Sequence, residues 1–212
     1  MNRRFLLTTA AAALATAPLS AFAQEAAAPE ATMEEQTGIP EMVLGNPDAA
    51  VEVIEYASFT CPHCAAFHAD QFQQLKANYI DTGKIRFVYR EIYFDRFGLW
   101  ASMIARCGGN TDRFFGISDV IYDTQREWTA GGDPAQIAAN LRQIGKVAGL
   151  EDETLDACMS DGAQAQALVD WFTENSTRDA VEGTPTFLIN GEKFSNMSYA
   201  AFAEILDAKL AE

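Results

Sequence analysis

Phe59-Thr60-Cys61-Pro62-His63-Cys64 is the stretch on which the reading of this chain turns. Upstream, Val51-Glu52-Val53-Ile54-Glu55-Tyr56 alternates apolar and polar residues as a strand does. Downstream, Cys64, His68, Phe72, Leu75 and Tyr79 recur at helical spacing, which predicts a helix over residues 61–80. The C-x-x-C pair therefore lies at a strand-to-helix junction, with Thr60 as the expected N-cap and Pro62 in the first turn, where a missing N–H costs nothing. Free backbone N–H groups and the positive end of the helix dipole then face the Cys61 sulfur and favour its thiolate. A dithiol redox site is the leading reading, and a structural cysteine pair or half of a zinc site is the alternative. A closed zinc site needs four ligands, and the chain has one C-x-x-C.

The size of the effect can be bounded. A fall in the Cys61 pKa from about 8.5 to about 5 stabilises the reduced form by roughly 2.7 kcal/mol at pH 7. That makes the disulfide more oxidising by about 60 mV.

Further along the chain, Met1 to Ala23 reads as a targeting segment: Arg3 and Arg4, an apolar run from Phe5 to about Pro18, then Ala21-Phe22-Ala23 as a small-x-small cleavage site. Arg3-Arg4 also fits a loose twin-arginine pattern, but ordinary Sec-type secretion is the preferred reading. Either route leads out of the cytoplasm, to a periplasmic location where disulfides persist. The run is too short and too rich in Thr and Ala for a spanning helix, so no stable membrane anchor is expected.

Residues 24–40 form an acidic lead of Ala, Glu, Pro and Thr, too poor in large apolar side chains to order itself. Without residues 1–23, 13 basic face 30 acidic residues, a formal net charge of −17 over 189 residues. That balance argues against nucleic acid or an anionic membrane as a partner. The 49% hydrophobic composition is ordinary for a packed core.

Met42-Val43-Leu44 and Lys84 to Tyr89 read as strands on either side of the first long one, and strand, helix and strand make a parallel βαβ unit. From Arg96 to Gly162 the period becomes helical. Trp100, Met103, Ile104 and Cys107 form one stripe, Phe114, Ile117 and Ile121 a second, and Ile137, Leu141, Ile144 and Val147 a third. Asp133-Pro134 is an N-cap followed by a proline at N1. The expected organisation is a helical insertion at 96–162 dividing an α/β domain made of residues 41–95 and 163–212. Its second part holds a helix from Ala163 to Asn175, an Asn190-Gly191 hairpin, and a last helix with Tyr199, Phe202, Leu206 and Leu210 on one face.

Taken together, Phe59 to Cys64 behind its strand, the helical insertion, and Gly183-Thr184-Pro185-Thr186-Phe187 before an Asn-Gly hairpin resemble the DsbA family of periplasmic thiol:disulfide oxidoreductases, from about residue 41 to the end. The resemblance implies a thioredoxin fold with an inserted helical domain. It also implies that Cys61 is the exposed nucleophile, Cys64 the buried resolving thiol, and Pro185 a cis proline packed against the pair, presenting Thr184 backbone to an extended substrate segment. Thr184 departs from the valine common in oxidants of this type and resembles the isomerase branch. The family places a buried acid beneath the resolving cysteine at the position of Glu55, where it takes the Cys64 proton; the alternative is a core carboxylate paired with a cation such as Arg90.

His63 is expected to hold the Cys61 thiolate or else to be an exposed residue of little effect. His68 reads as a core or surface histidine, with a metal-ligand role beside Cys61 and Cys64 as the alternative. Cys107 and Cys158 suggest a second, structural disulfide closing a 51-residue loop, against two independent buried thiols.

The function implied is disulfide introduction into exported proteins through Cys61 and Cys64, without cofactor or metal, with re-oxidation by a DsbB-type membrane oxidase. An isomerase or reductase of the same fold, or a copper- or zinc-binding protein using Cys61, Cys64 and His68, are the rivals.

Overall fold

A computed structural model describes residues 38–212, so the targeting segment expected over 1–23 and nearly all of the acidic lead lie outside the described residues. Five strands form one sheet in the order β1-β3-β2-β4-β5: β1 Met42–Gly45, β2 Val51–Ala57, β3 Ile85–Glu91, β4 Thr186–Ile189 and β5 Glu192–Ser195. The β2–β3 pair is parallel, aligning Glu55 with Tyr89 and Tyr56 with Arg90, and the other pairs are antiparallel. Gly45 ends β1 with φ +83°, and a Cβ there would lie 2.4 Å from the Ile85 carbonyl oxygen, so the turn into β2 requires a glycine.

Alternation sorts the sheet into two faces. On one, Val53, Glu55, Phe87, Tyr89 and Phe187 lie under helix α1, Pro62–Ala69, and its continuation α2, Gln71–Leu75, with the C-terminal helix closing the same face through Phe202. Phe67 packs on Phe187 and Phe202 at 4.8 and 5.9 Å between ring centroids. On the other face, Tyr56 and Leu188 cluster with Ile92 and Phe172.

The long helix expected over 61–80 is broken. Asp70, at φ −130° and ψ −72°, separates α1 from α2, and residues Lys76–Ile80 complete the segment as a π-turn. The five residues singled out by helical spacing are all buried despite the break. A π-turn carries an extra residue without altering which side chains are apolar, so periodicity does not report it.

Between β3 and β4 the chain is helical: α3 Arg96–Arg106, α4 Thr111–Asp123, α5 Gln125–Trp128, α6 Pro134–Val147, α7 Asp152–Ser160 and α8 Gly162–Arg178. A final helix, α9, spans Tyr199–Leu210. Asp95, Asn110, Asp133, Asp161 and Ser198 cap helices by accepting from backbone N–H groups of the first turn. Most of the expected stripe residues are buried; Trp100, Cys107 and Tyr199 are half-buried, and Val147 is 70% and Leu210 39% exposed. Val147 and Leu210 each lie in the last turn of their helix, beyond the packed partners.

Cys107 and Cys158 are joined by a disulfide, with S–S 2.05 Å and Cα atoms 5.8 Å apart, linking the end of α3 to α7. No helix among the described residues is long and apolar enough to cross a membrane.

Candidate active site

The site begins one residue later than the capping pattern suggests. Cys61, not Thr60, is the N-cap of α1, with extended backbone (φ −84°, ψ 119°) and Pro62 following at N1. Cys61 makes no side-chain capping bond, and the Thr60 hydroxyl instead donates to Asp95 Oδ2 at 2.9 Å. This leaves the Cys61 sulfur at the open mouth of the helix.

Both thiols are free. Cys61 is 8% exposed and Cys64 is fully buried, so chemistry from outside reaches Cys61 first. The Cys61 thiol is brought down from the ordinary 9.0 to about 5, chiefly by a hydrogen bond from the Cys64 thiol. Burial opposes that shift, while Thr184 and the backbone N–H groups of Cys64 and His63 assist it. Cys64 moves the opposite way: burial, the hydrogen bond with Cys61 and the charge of Glu55 all push its thiol up. Two thiols separated by one turn are thus divided into a stable thiolate and a reluctant one.

His63 is exposed. It acts on Cys61 through its backbone N–H, and it lines a cleft shared with Thr184 and Pro185. Thr184 and Pro185 reach the site from the start of β4, with a cis peptide bond between them. Cys61 Sγ lies 3.5 Å from the Thr184 carbonyl oxygen, which accepts its hydrogen bond when the thiol is protonated. A cleft of about 650 Å³ runs from His63 along Gly183–Thr186 to Phe194 and Ser195 of the outer strand β5. An extended peptide lying there would meet the backbone of Gly183–Thr186, beside the Cys61 sulfur that contacts the Thr184 carbonyl.

Glu55 is completely buried on the β2 face beneath α1. Its partner is His68, whose Nε2 lies 3.0 Å from Oε2 and 3.2 Å from Oε1. The alternative partner, Arg90, is on the other face of the sheet, where it bonds Glu41, Asp179 and the Tyr56 hydroxyl. The parallel register explains the difference: Arg90 stands beside Tyr56, and both point away from Glu55. His68 is itself buried, stacked on Tyr122 at 4.3 Å and close to Phe72 at 4.5 Å. Occupied by Glu55, its Nε2 does not join Cys61 and Cys64 in a ligand set, and no metal-binding cluster occurs among the described residues.

Sequence reasoning missed Gln125. From α5 its side-chain amide donates to the carbonyls of Phe59, at 2.8 Å, and Cys61, at 3.0 Å. It thereby holds the loop that carries Cys61. The flanking Thr124 and Arg126 give no apolar period to mark it, and the contact spans 64 residues of sequence. Gln125→Leu strands the buried Phe59 carbonyl and leaves the Cys61 carbonyl to the Ala65 N–H alone, and the expected loss is about 1–3 kcal/mol of stability, measured by urea unfolding, with a faster-exchanging backbone at residues 59–61. Unchanged stability and exchange would show that water replaces the amide.

The thioredoxin family model matches residues 37–208. A Rickettsia bellii chain, provisionally named a protein-disulfide oxidoreductase, is 35% identical over 172 residues, 81% of this chain and 65% of that protein. The present chain thus spans slightly less than two thirds of that relative. Among solved structures, Wolbachia pipientis alpha-DsbA1 superposes with a TM-score of 0.76 at 25% identity, covering 82% of this chain and 92% of that one. A protein-disulfide isomerase from Novosphingobium aromaticivorans superposes at 0.72 with 27% identity, covering 81% and 98%.

Proposed function

The chain belongs to the thioredoxin family, among its DsbA-like members, and from that membership we propose that it oxidises cysteines of exported proteins by dithiol-disulfide exchange at Cys61 and Cys64. The observation that carries the reading is the opposed setting of the two thiols: Cys61 stabilised as thiolate at the mouth of a helix, Cys64 buried and held protonated.

With the pair oxidised, a substrate thiolate attacks the Cys61 sulfur and expels Cys64 as the leaving thiolate, giving a mixed disulfide. A second substrate thiolate then attacks the substrate's own sulfur, closes the substrate disulfide and releases Cys61 as thiolate. Because that leaving group is stabilised, release is fast and the enzyme drives oxidation. Gly183, Thr184 and Pro185 line the cleft in which an extended substrate segment lies. Glu55 serves as the proton acceptor and donor for Cys64. The operating compartment is the periplasm, reached through the N-terminal targeting segment, and a DsbB-type membrane oxidase restores the disulfide.

Isomerisation is the second reading, favoured by Thr184 and by the 27% identity to the Novosphingobium protein. The two separate on substrate. A reduced multi-cysteine protein is expected to be oxidised stoichiometrically by the isolated oxidised chain, and a substrate scrambled into wrong pairs is expected to be rescued poorly. Thr184→Val should alter mixed-disulfide release and also make the pair less oxidising, because the threonine side chain helps to stabilise the Cys61 thiolate as well as offering contacts to the bound segment. Efficient unscrambling in glutathione buffer, with a potential no more oxidising than about −270 mV, would reverse the order of the two readings.

A further inference from the structure

Cys64 changes protonation state in each turn of the proposed cycle, yet it is sealed from solvent together with Glu55. A proton leaving or reaching that pair has to cross the core. His68 is placed to carry it. Its Nε2 is on Glu55, at 3.0 Å, while Nδ1 on the far side of the ring is buried with no protein partner. A buried imidazole nitrogen without a partner costs free energy, so a use for it is to be sought.

His68 also lines a polar cleft of about 400 Å³, with Gln73 of α2 and Asp119, Tyr122 and Asp123 of α4. The titratable groups around it are Glu55 from β2, Tyr89 from β3, Cys64 on its own helix, and Asp119, Tyr122 and Asp123 from α4. Tyr89 and Tyr122 share a hydrogen bond of 2.6 Å, and burial holds both phenols protonated. Burial raises the half-buried Asp119 carboxyl above the usual range, and Asp119 shares the cleft with His68.

We propose that His68 is the proton relay between Glu55 and solvent for the Cys64 thiol, exchanging protons with the carboxylate at Nε2 and with water in the Asp119 cleft at Nδ1. The inference rests on the dithiol-disulfide reading of the site. When a substrate thiolate breaks the Cys61–Cys64 bond, the electron pair leaves on Cys64. The Nε2 proton passes by way of Glu55 to the Cys64 sulfur, and Nδ1 takes a proton from the cleft. During re-oxidation the Cys64 proton returns through Glu55 to Nε2, the Nδ1 proton leaves to water, and the Cys64 thiolate attacks the mixed disulfide on Cys61, releasing the partner thiolate. One half-reaction moves the imidazole to its Nδ1–H tautomer and the other restores Nε2–H, so no ring flip is needed.

The test follows the full reduced chain reacting with oxidised glutathione, quenched in acid and resolved by mass into the Cys61–glutathione adduct and the closed Cys61–Cys64 product. His68→Gln retains a hydrogen bond to Glu55 but cannot relay. It is expected to slow closure of the adduct about a hundredfold near neutrality, the lower end for a lost proton-transfer group, while adduct formation and the Cys61 thiolate titration stay as in the parent. His68→Ala leaves a cavity, and added imidazole should restore most of its lost closure rate, which a merely structural role would not allow. Closure at the parent rate in His68→Gln overturns the relay, as does slow closure in both variants that imidazole does not relieve. A parent chain that forms no adduct at all overturns the exchange reading and the relay with it. If His68→Ala does not fold, His68→Gln decides by itself.

Discussion

Reduced protein titrated from acid to alkali is expected to develop its thiolate absorbance around pH 5, well below an unperturbed thiol. Cys61→Ser should remove that transition together with all exchange activity. Cys64→Ala should keep a transition but move it upward, since the Cys64 thiol supplies the largest stabilising hydrogen bond to the Cys61 thiolate. The consequence for the redox couple has a definite sign. A depressed thiol pKa stabilises the reduced form; the stabilisation is complete above pH 9.0, declines as pH falls, and is gone below about pH 5. At pH 7 it amounts to at most about 2.7 kcal/mol, or roughly 60 mV of oxidising power. The potential should therefore change by about 30 mV per pH unit between those limits and by about 60 mV per unit below the lower one. A thiolate midpoint near the unperturbed value of about 8.5 would refute the oxidant reading.

Loss of the Cys107–Cys158 bond is expected to have the largest effect on stability. The chain-entropy account for a separation of 51 residues gives up to about 4 kcal/mol, which for a domain of this size lowers the melting temperature by roughly 10 °C. The double alanine variant should lose protection first in α7. That helix buries one side chain fully, Leu155, packs Met159 partly against the core, and otherwise depends on the disulfide and on exposed ion pairs from Arg142 and Lys146 to Asp152 and Asp156. The Cys61 titration should be unaffected, because the bond joins α3 to α7 while the nucleophile's loop is held by Gln125 of α5. Melting within about a degree of the parent would mean that Leu155 and its neighbours suffice. An altered Cys61 midpoint would mean that the helical segment transmits strain to the site.

The chemistry of the front of the site was legible in the residues because it is local. Strand alternation, the C-P-H-C tetrapeptide and a helical stripe are statements about neighbours in sequence, and they place Cys61 at a helix mouth to within one residue. The Asn190-Gly191 turn is equally local: both residues take positive φ, at 47° and 80°, as the two-residue hairpin demands.

What lies behind the sulfur pair was decided by packing. Alternation buries Glu55 but does not name its partner: the arginine that sequence proximity suggests is turned to the opposite face by the β2–β3 register, and His68, which nothing in the sequence ties to Glu55, is brought over the carboxylate. Gln125 reaches the Phe59 and Cys61 carbonyls only because the helices between β3 and β4 fold back over the loop. The break at Asp70 and the π-turn after Leu75 are equally silent in the sequence, since they shift the helix without changing which residues are apolar. Sequence thus determined which sulfur stands at the helix mouth. Tertiary structure decided which groups sit behind its partner, because a buried polar group is satisfied by whatever the completed fold brings within hydrogen-bond distance, and that distance has no counterpart in residue spacing.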